Sequence, residues 1–146
     1  MNKVRARLFM LGGFFLFAID RALKHLSINN FKEEKTFLNI LGWQPFKNSG
    51  VAFGIPVPIF ITVFLTSLAL ALILYFIFSF YFKKQYAQSV AVSLIFFGAI
   101  SNFIDRIFFS ATLDYFLFFT SVINIADILI VSGFVLFFFS HKKICL

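Results

Sequence analysis

Charge is scarce in this chain, acid is scarcer, and cysteine is almost missing. Only 13% of the 146 residues are charged, against about 25% in an average soluble domain. A water-soluble globule of ordinary surface polarity is therefore excluded. The single cysteine, Cys145, can close no internal disulfide. His25 and His141 lie far apart and give it no company, which excludes a structural zinc site. Tandem repeats and low-complexity linkers are absent, so one domain spanning 1–146 is expected.

What fills the chain is apolar. Hydrophobic residues make up 61%, with 26 phenylalanines among them, a composition built for lipid. The net charge of +7 would suggest nucleic acid in a soluble protein. Here the basic residues gather at segment ends, where they set topology and meet anionic head groups, so nucleic-acid binding is not expected.

A helix needs about 20 mostly apolar residues to cross a bilayer. Four stretches approach this: 8–26, 57–82, 86–104 and 120–140. The first is short in its clean part and ends among Asp20, Arg21 and Lys24. Lys3, Arg5 and Arg7 before it give it some likeness to a signal peptide, but Asp20 falls where a cleavage site would lie, so a retained helix is expected. The predicted fold is an all-α integral membrane protein, a bundle of four transmembrane helices. A small extracytoplasmic β-cradle is expected between helices 1 and 2, in the loop 27–56. Trp43 suits the membrane interface, and Asn48-Ser49-Gly50 reads as a tight turn. Positive charge before the first stretch, at Lys83-Lys84 and at His141-Lys142-Lys143 predicts that both termini are cytoplasmic.

The six acidic residues are the informative minority. Glu33 and Glu34, between Lys32 and Lys35, read as a solvated loop. The other four are aspartates in or beside the apolar stretches: Asp20, Asp105, Asp114 and Asp127. Ionisable groups there are costly and point to function. Asp127 is expected about 10 Å inside the fourth stretch, at a rise of about 1.5 Å per residue. Asn124, three residues earlier, shares its face. The pair is either a helix–helix clamp or part of a reactive site.

On the third stretch Gly98, Asn102 and Asp105/Arg106 are expected to face one way. Arg106 reads as an interfacial anchor or a binder of a carbonyl or anion. Asp114 sits in Leu113-Asp114-Tyr115-Phe116, where no neighbour explains a charge. If that segment folds back over the bundle, Asp114 approaches Asp127. Two carboxylates that close share one proton, which is the apparatus for activating water against a peptide carbonyl. Asp20 and Lys24, four apart, read as an intrahelical pair bracing the end of the first helix.

These residues, in this order, resemble the lipoprotein signal peptidase (signal peptidase II) family over almost the whole chain. Asp20 with Lys24 resembles the family's D-x-x-x-K element. Asn48-Ser49-Gly50-Val51-Ala52-Phe53-Gly54 resembles N-x-G-x-A-F, and the run from Gly98 through Asn102 to Asp105-Arg106 resembles G-x-x-x-N-x-x-D-R. Asp114 fits the aspartate that follows, and Ile123-Asn124-Ile125-Ala126-Asp127 resembles F-N-x-A-D. The chain departs from the pattern at Ser101, where glycine is usual, at Tyr115, where phenylalanine is common, and at Ile123.

The resemblance implies an intramembrane aspartic endopeptidase. It would cut bacterial prolipoproteins just before a diacylglyceryl-modified cysteine, without metal or organic cofactor. It implies Asp114 and Asp127 as the catalytic dyad and Asn48, Asn102, Arg106 and Asn124 as groups that hold substrate or orient the dyad. Asp20, Lys24 and Asp105 become structural polar groups. The expected setting is the bacterial cytoplasmic (inner) membrane, with the site near its outer face, membrane lipid and lipoprotein as partners, and a monomer as the working unit. Two other readings stand beside it. A proton-coupled transporter predicts polar groups along the full depth of the bundle, and a scaffold predicts tolerance of Asp-to-Asn changes.

Overall fold

A computed structural model describes residues 1–29, 33–38, 40–50 and 57–141. Lys32, Lys142, Lys143, Cys145 and the Val51–Gly54 part of the N-x-G-x-A-F resemblance lie outside the described residues.

The expectation of an all-α bundle with four spans is corrected on both counts. Among the described residues the elements are, in order, α1 (Lys3–Asn29), β1 (Lys35–Phe37), β2 (Leu41–Asn48), α2 (Ile59–Phe82), α3 (Tyr86–Phe109), β3 (Thr112–Phe118), β4 (Ser121–Ile123) and α4 (Ile125–His141). Four helices are thus joined by a four-stranded antiparallel sheet of order β1-β2-β3-β4. Two described helices, α2 and α3, are long and apolar enough to cross a membrane. α1 is long but carries Lys3, Arg5, Arg7, Asp20, Arg21 and Lys24. α4 is apolar but has only 17 residues, about 25 Å at 1.5 Å per residue, short of the bilayer's hydrocarbon core.

The sheet is also not confined to the segment between the first two helices. Half of it comes from the segment between α3 and α4, and its middle pair joins the two halves. In that pair Phe46 lies opposite Asp114 and Asn48 opposite Thr112. A register irregularity between Trp43 and Phe46 contains Pro45, which has no N–H to give a ladder and is tolerated at such a bulge.

α3 is the central helix and packs on the other three. It runs past the Asp105-Arg106 pair that was expected to end it. It stops at Ser110, which takes a left-handed conformation (φ 55°) and returns its N–H to the Arg106 carbonyl. Glycines let α4 lie close along it. A Cβ on Gly98 would strike the Ala126 carbonyl oxygen, and one on Gly133 would come within 2.6 Å of the Ala91 carbonyl oxygen. α2 fully buries only Thr62 and Leu70, and its exposed apolar side chains, among them Phe60, Phe64 and Leu68, are free to meet lipid.

The start of α1, the α2–α3 turn and the last turns of α4 meet away from the sheet. Arg7 Nε donates to Tyr81 Oη at 3.2 Å near the α2–α3 turn that holds Lys83 and Lys84. Phe80 packs on Phe137 near the end of α4, at 5.8 Å between centroids.

Candidate active site

At the opposite end, β3 returns over the helices and places Asp114 beside the start of α4. Asn124 is the pivot. As the residue before α4 it accepts the Asp127 N–H on its Oδ1 at 2.8 Å, while Asp127 Oδ2 accepts the Asn124 N–H at 3.3 Å. This reciprocal pair caps a helix whose first N–H groups have no partner within it. The spare Nδ2 of Asn124 donates to Asp114 Oδ1 at 2.6 Å. One asparagine therefore holds both carboxylates. Asn124 and Asp114 are buried, and Asp127 is half-buried.

The other side of Asp127 meets α3. Asn102 Nδ2 donates to Asp127 Oδ1 at 2.9 Å. Which way the Asn102 amide lies is fixed by Lys24 Nζ, 2.7 Å from its Oδ1. An ammonium only donates, so the amide's oxygen must face it and its NH2 must face Asp127. Lys24 thus does more than pair with Asp20 along α1. It bonds Asp20 Oδ2 at 3.0 Å and Asp105 Oδ2 at 2.7 Å, and all three side chains are fully buried. Arg21 completes the cluster with an ion pair to Asp105.

The expected single face on α3 is therefore two. Gly98 and Asn102 look toward α4. Asp105 looks toward α1, where it meets Arg21 and Lys24, and it also accepts the Leu113 N–H at 3.3 Å. Among the described residues no hydrogen bond or ion pair engages the Arg106 side chain, yet its charge acts on Asp127, Asp105 and Asp114.

Asn48 comes to Asp114 from β2, its Nδ2 lying 3.4 Å from Asp114 Oδ2 and its Oδ1 accepting the Gly50 N–H at 3.1 Å in an Asx turn. A cavity of about 360 Å³ opens beside Asp114, with Ser27, Phe46 and Lys47 on its walls. Burial, and next the charge of Asp127, push the Asp114 carboxyl up from 3.8 to about 6. Such an arrangement can hold one proton between two carboxylates beside a space of the size small ligands use.

Two residues of the site stand out in the sequence only as departures from the motif pattern it resembles. Tyr115 donates to Asp20 Oδ1 at 2.9 Å, and Ser101 donates to Asp20 Oδ2 at 2.6 Å. Arg21 shows in the sequence only as one of the charges that end an apolar stretch. The spacing of Ser101 and Asp105, one helical turn apart, was the available sign that α3 has a second polar face.

Comparisons with known proteins agree with the fold. A family profile described as Signal peptidase (SPase) II matches residues 13–142. The structure is similar to a bacterial membrane enzyme solved by the in meso method at 2.3 Å resolution, with TM-score 0.79, 24% identity, and coverage of 98% of this chain and 90% of that one. It is also similar to a bacterial membrane enzyme solved at 1.9 Å resolution by that method, with TM-score 0.74, 24% identity, and coverage of 98% and 96%. Comparison with curated proteins gave no match.

Proposed function

The chain belongs to the signal peptidase II family of membrane proteases, and from that premise we propose that it is an aspartic endopeptidase that removes the signal peptide from diacylglyceryl-modified bacterial prolipoproteins. The observation that carries this reading is the grip of Asn124 on both Asp114 and Asp127. A lone clamp needs one carboxylate. Two, brought from different elements onto the side-chain and backbone N–H groups of one asparagine beside a cavity, suit chemistry better than packing.

In the proposed reaction a water lies between the two carboxyls. The ionised aspartate takes a proton from it, and the hydroxyl attacks the peptide carbonyl just before the lipidated cysteine. The protonated aspartate donates to the carbonyl oxygen as it becomes tetrahedral. Collapse breaks the C–N bond. A proton passes to the leaving cysteine amine, and the signal peptide keeps the new carboxyl group. Asn102 and Asn124 orient the dyad, Asn48 and Arg106 hold the substrate backbone, and Asp20, Lys24 and Asp105 support the frame.

The working orientation puts the basic end, with Lys83 and Lys84, at the cytoplasmic face of the bacterial inner membrane. The sheet and dyad then lie near the outer face, where a lipid-anchored peptide can enter sideways and water can reach it. The enzyme acts as a monomer on lipoprotein substrates, without a cofactor.

Co-expression with a diacylglyceryl-modified prolipoprotein tests this, with loss of the signal peptide read by gel shift. Wild type should cleave, and Asp114→Asn and Asp127→Asn should not, at equal membrane levels. Cleavage that survives either substitution would remove that aspartate from the chemistry.

A further inference from the structure

The proposed dyad needs its two carboxylates at a set separation, and they come from different elements. Asp114 rides on β3, and Asp127 on the first turn of α4. Asn124 Nδ2 donates to Asp114 Oδ1 and the Leu113 carbonyl, and β4 pairs with β3 as far as Ile123, so β3 is tied to the residues just before α4.

The first turn of α4 itself is fastened to β3 through Tyr115 and Asp20. The Asp20 carboxylate is fully buried, and each oxygen has two donors. Oδ1 accepts from Tyr115 Oη at 2.9 Å and from the Ala126 N–H at 3.2 Å. Oδ2 accepts from Ser101 Oγ at 2.6 Å and from Lys24 Nζ at 3.0 Å. A carboxylate offers about four acceptor sites, so this one is saturated. Tyr115 Oη in turn accepts the Ile125 N–H at 3.0 Å. The first two N–H groups of α4 thus end on the Tyr115–Asp20 pair. Asp127 is the next residue.

Neighbouring residues of a strand point to opposite faces. While Asp114 reaches Asn124, Tyr115 reaches the junction of α1 and α4. Its ring is steadied by stacking on Trp43, at 5.3 Å between centroids. The same short strand therefore carries one carboxylate and the strap that locates the other.

We infer that Tyr115 and Ser101 are positioning residues whose hydroxyls, acting through Asp20, set the separation of Asp114 and Asp127. The inference rests on the dyad reading above. Without the Tyr115 hydroxyl, the part-buried Ile125 N–H and one lone pair of the buried Asp20 lose their partner. The first turn of α4 then slackens, and two like charges move apart.

The test is a ¹³C NMR titration of aspartate carboxyls in detergent micelles, with Asp114 assigned by its loss in Asp114→Asn. The Asp114 midpoint is sensitive to the separation because Asp127 is the like charge that faces it. Lys24 from α1, Arg106 from α3, Lys47 on β2 and the amides of Asn48 and Asn124 complete its surroundings. Tyr115→Phe keeps the ring and should lower the midpoint by about half a pH unit. That is the size expected when charges about 5 Å apart separate by about 1 Å at an effective dielectric near 20. Ser101→Ala should move it the same way. In the cleavage assay both should lose about 3- to 10-fold in kcat with KM within about twofold, as expected for misplaced catalytic groups. Midpoints that stay at the wild-type value overturn the inference, and Ser101→Ala decides it if Tyr115→Phe does not fold. A wild type that titrates normally but fails to cleave would instead count against the proposed activity.

Discussion

Replacing Asp114 by asparagine should make the protein more stable at pH 8 while it ends cleavage. The folded site lifts this carboxyl from 3.8 to about 6. Between those values the folded chain holds a proton that the unfolded chain has released. The stability tied to that proton is complete below about pH 3.8 and is lost as pH rises through about 6. At about 1.4 kcal/mol per pH unit, the loss at pH 8 comes to about 3 kcal/mol. An asparagine is neutral throughout and avoids it. Its carbonyl can still accept from Asn124 Nδ2, which is 2.6 Å from Asp114 Oδ1. Its NH2 would face Asn48 Nδ2 and forfeit that long 3.4 Å contact, at a cost of about 1 kcal/mol. The net gain is about 2 kcal/mol at pH 8, falling to zero or below near pH 4. Thermal melts of both proteins in one detergent at pH 4, 6 and 8 measure it, since groups remote from the dyad cancel in the difference. A variant no more stable than wild type at pH 8, or a difference that does not change with pH, would refute the reasoning.

Lys24→Met leaves Asp20 and Asp105 as buried carboxylates without their shared cation and should cost about 3–5 kcal/mol. Membrane abundance should collapse and recover in part when Asp20→Asn and Asp105→Asn are added. Gly98→Ala puts a methyl against the Ala126 carbonyl and should cost about 1–3 kcal/mol by overpacking. A melting temperature within 1 °C of wild type would contradict that seam. Arg106→Gln breaks no described hydrogen bond, so stability should stay within about 0.5 kcal/mol while KM for lipoprotein rises. An unchanged KM would remove Arg106 from substrate binding.

Local spacing carried part of the site. The interval of three between Asn124 and Asp127 puts them on one face, but a helix expected from 120 sets both inside it, whereas α4 starts at Ile125 and the pair caps its first turn. Asp114 stood out because no sequence neighbour balances it. The strands were hidden for a physical reason. β3 begins with four consecutive buried residues, so its first half lacks the alternation that marks a strand with one wet face, and the later alternation falls on apolar residues throughout. Ser121–Ile123 runs on from it in the same apolar idiom, and a helix counted back from the basic end absorbs it. The charges of α1 misled in another way. Asp20, Arg21 and Lys24 are answered by Ser101, Asn102 and Asp105, about 80 positions away, and no local window joins them. Tyr115 and Ser101 looked incidental because a hydroxyl's partner cannot be read from a linear pattern.

The stacking of Trp43 on Tyr115 has an optical consequence. Trp43 is the chain's single tryptophan, so all indole emission originates against the ring whose hydroxyl holds Asp20 and the Ile125 N–H. The protein carries its own fluorophore beside the strap. Changes in that emission during binding or unfolding report on the mounting of the site and not on the molecule at large.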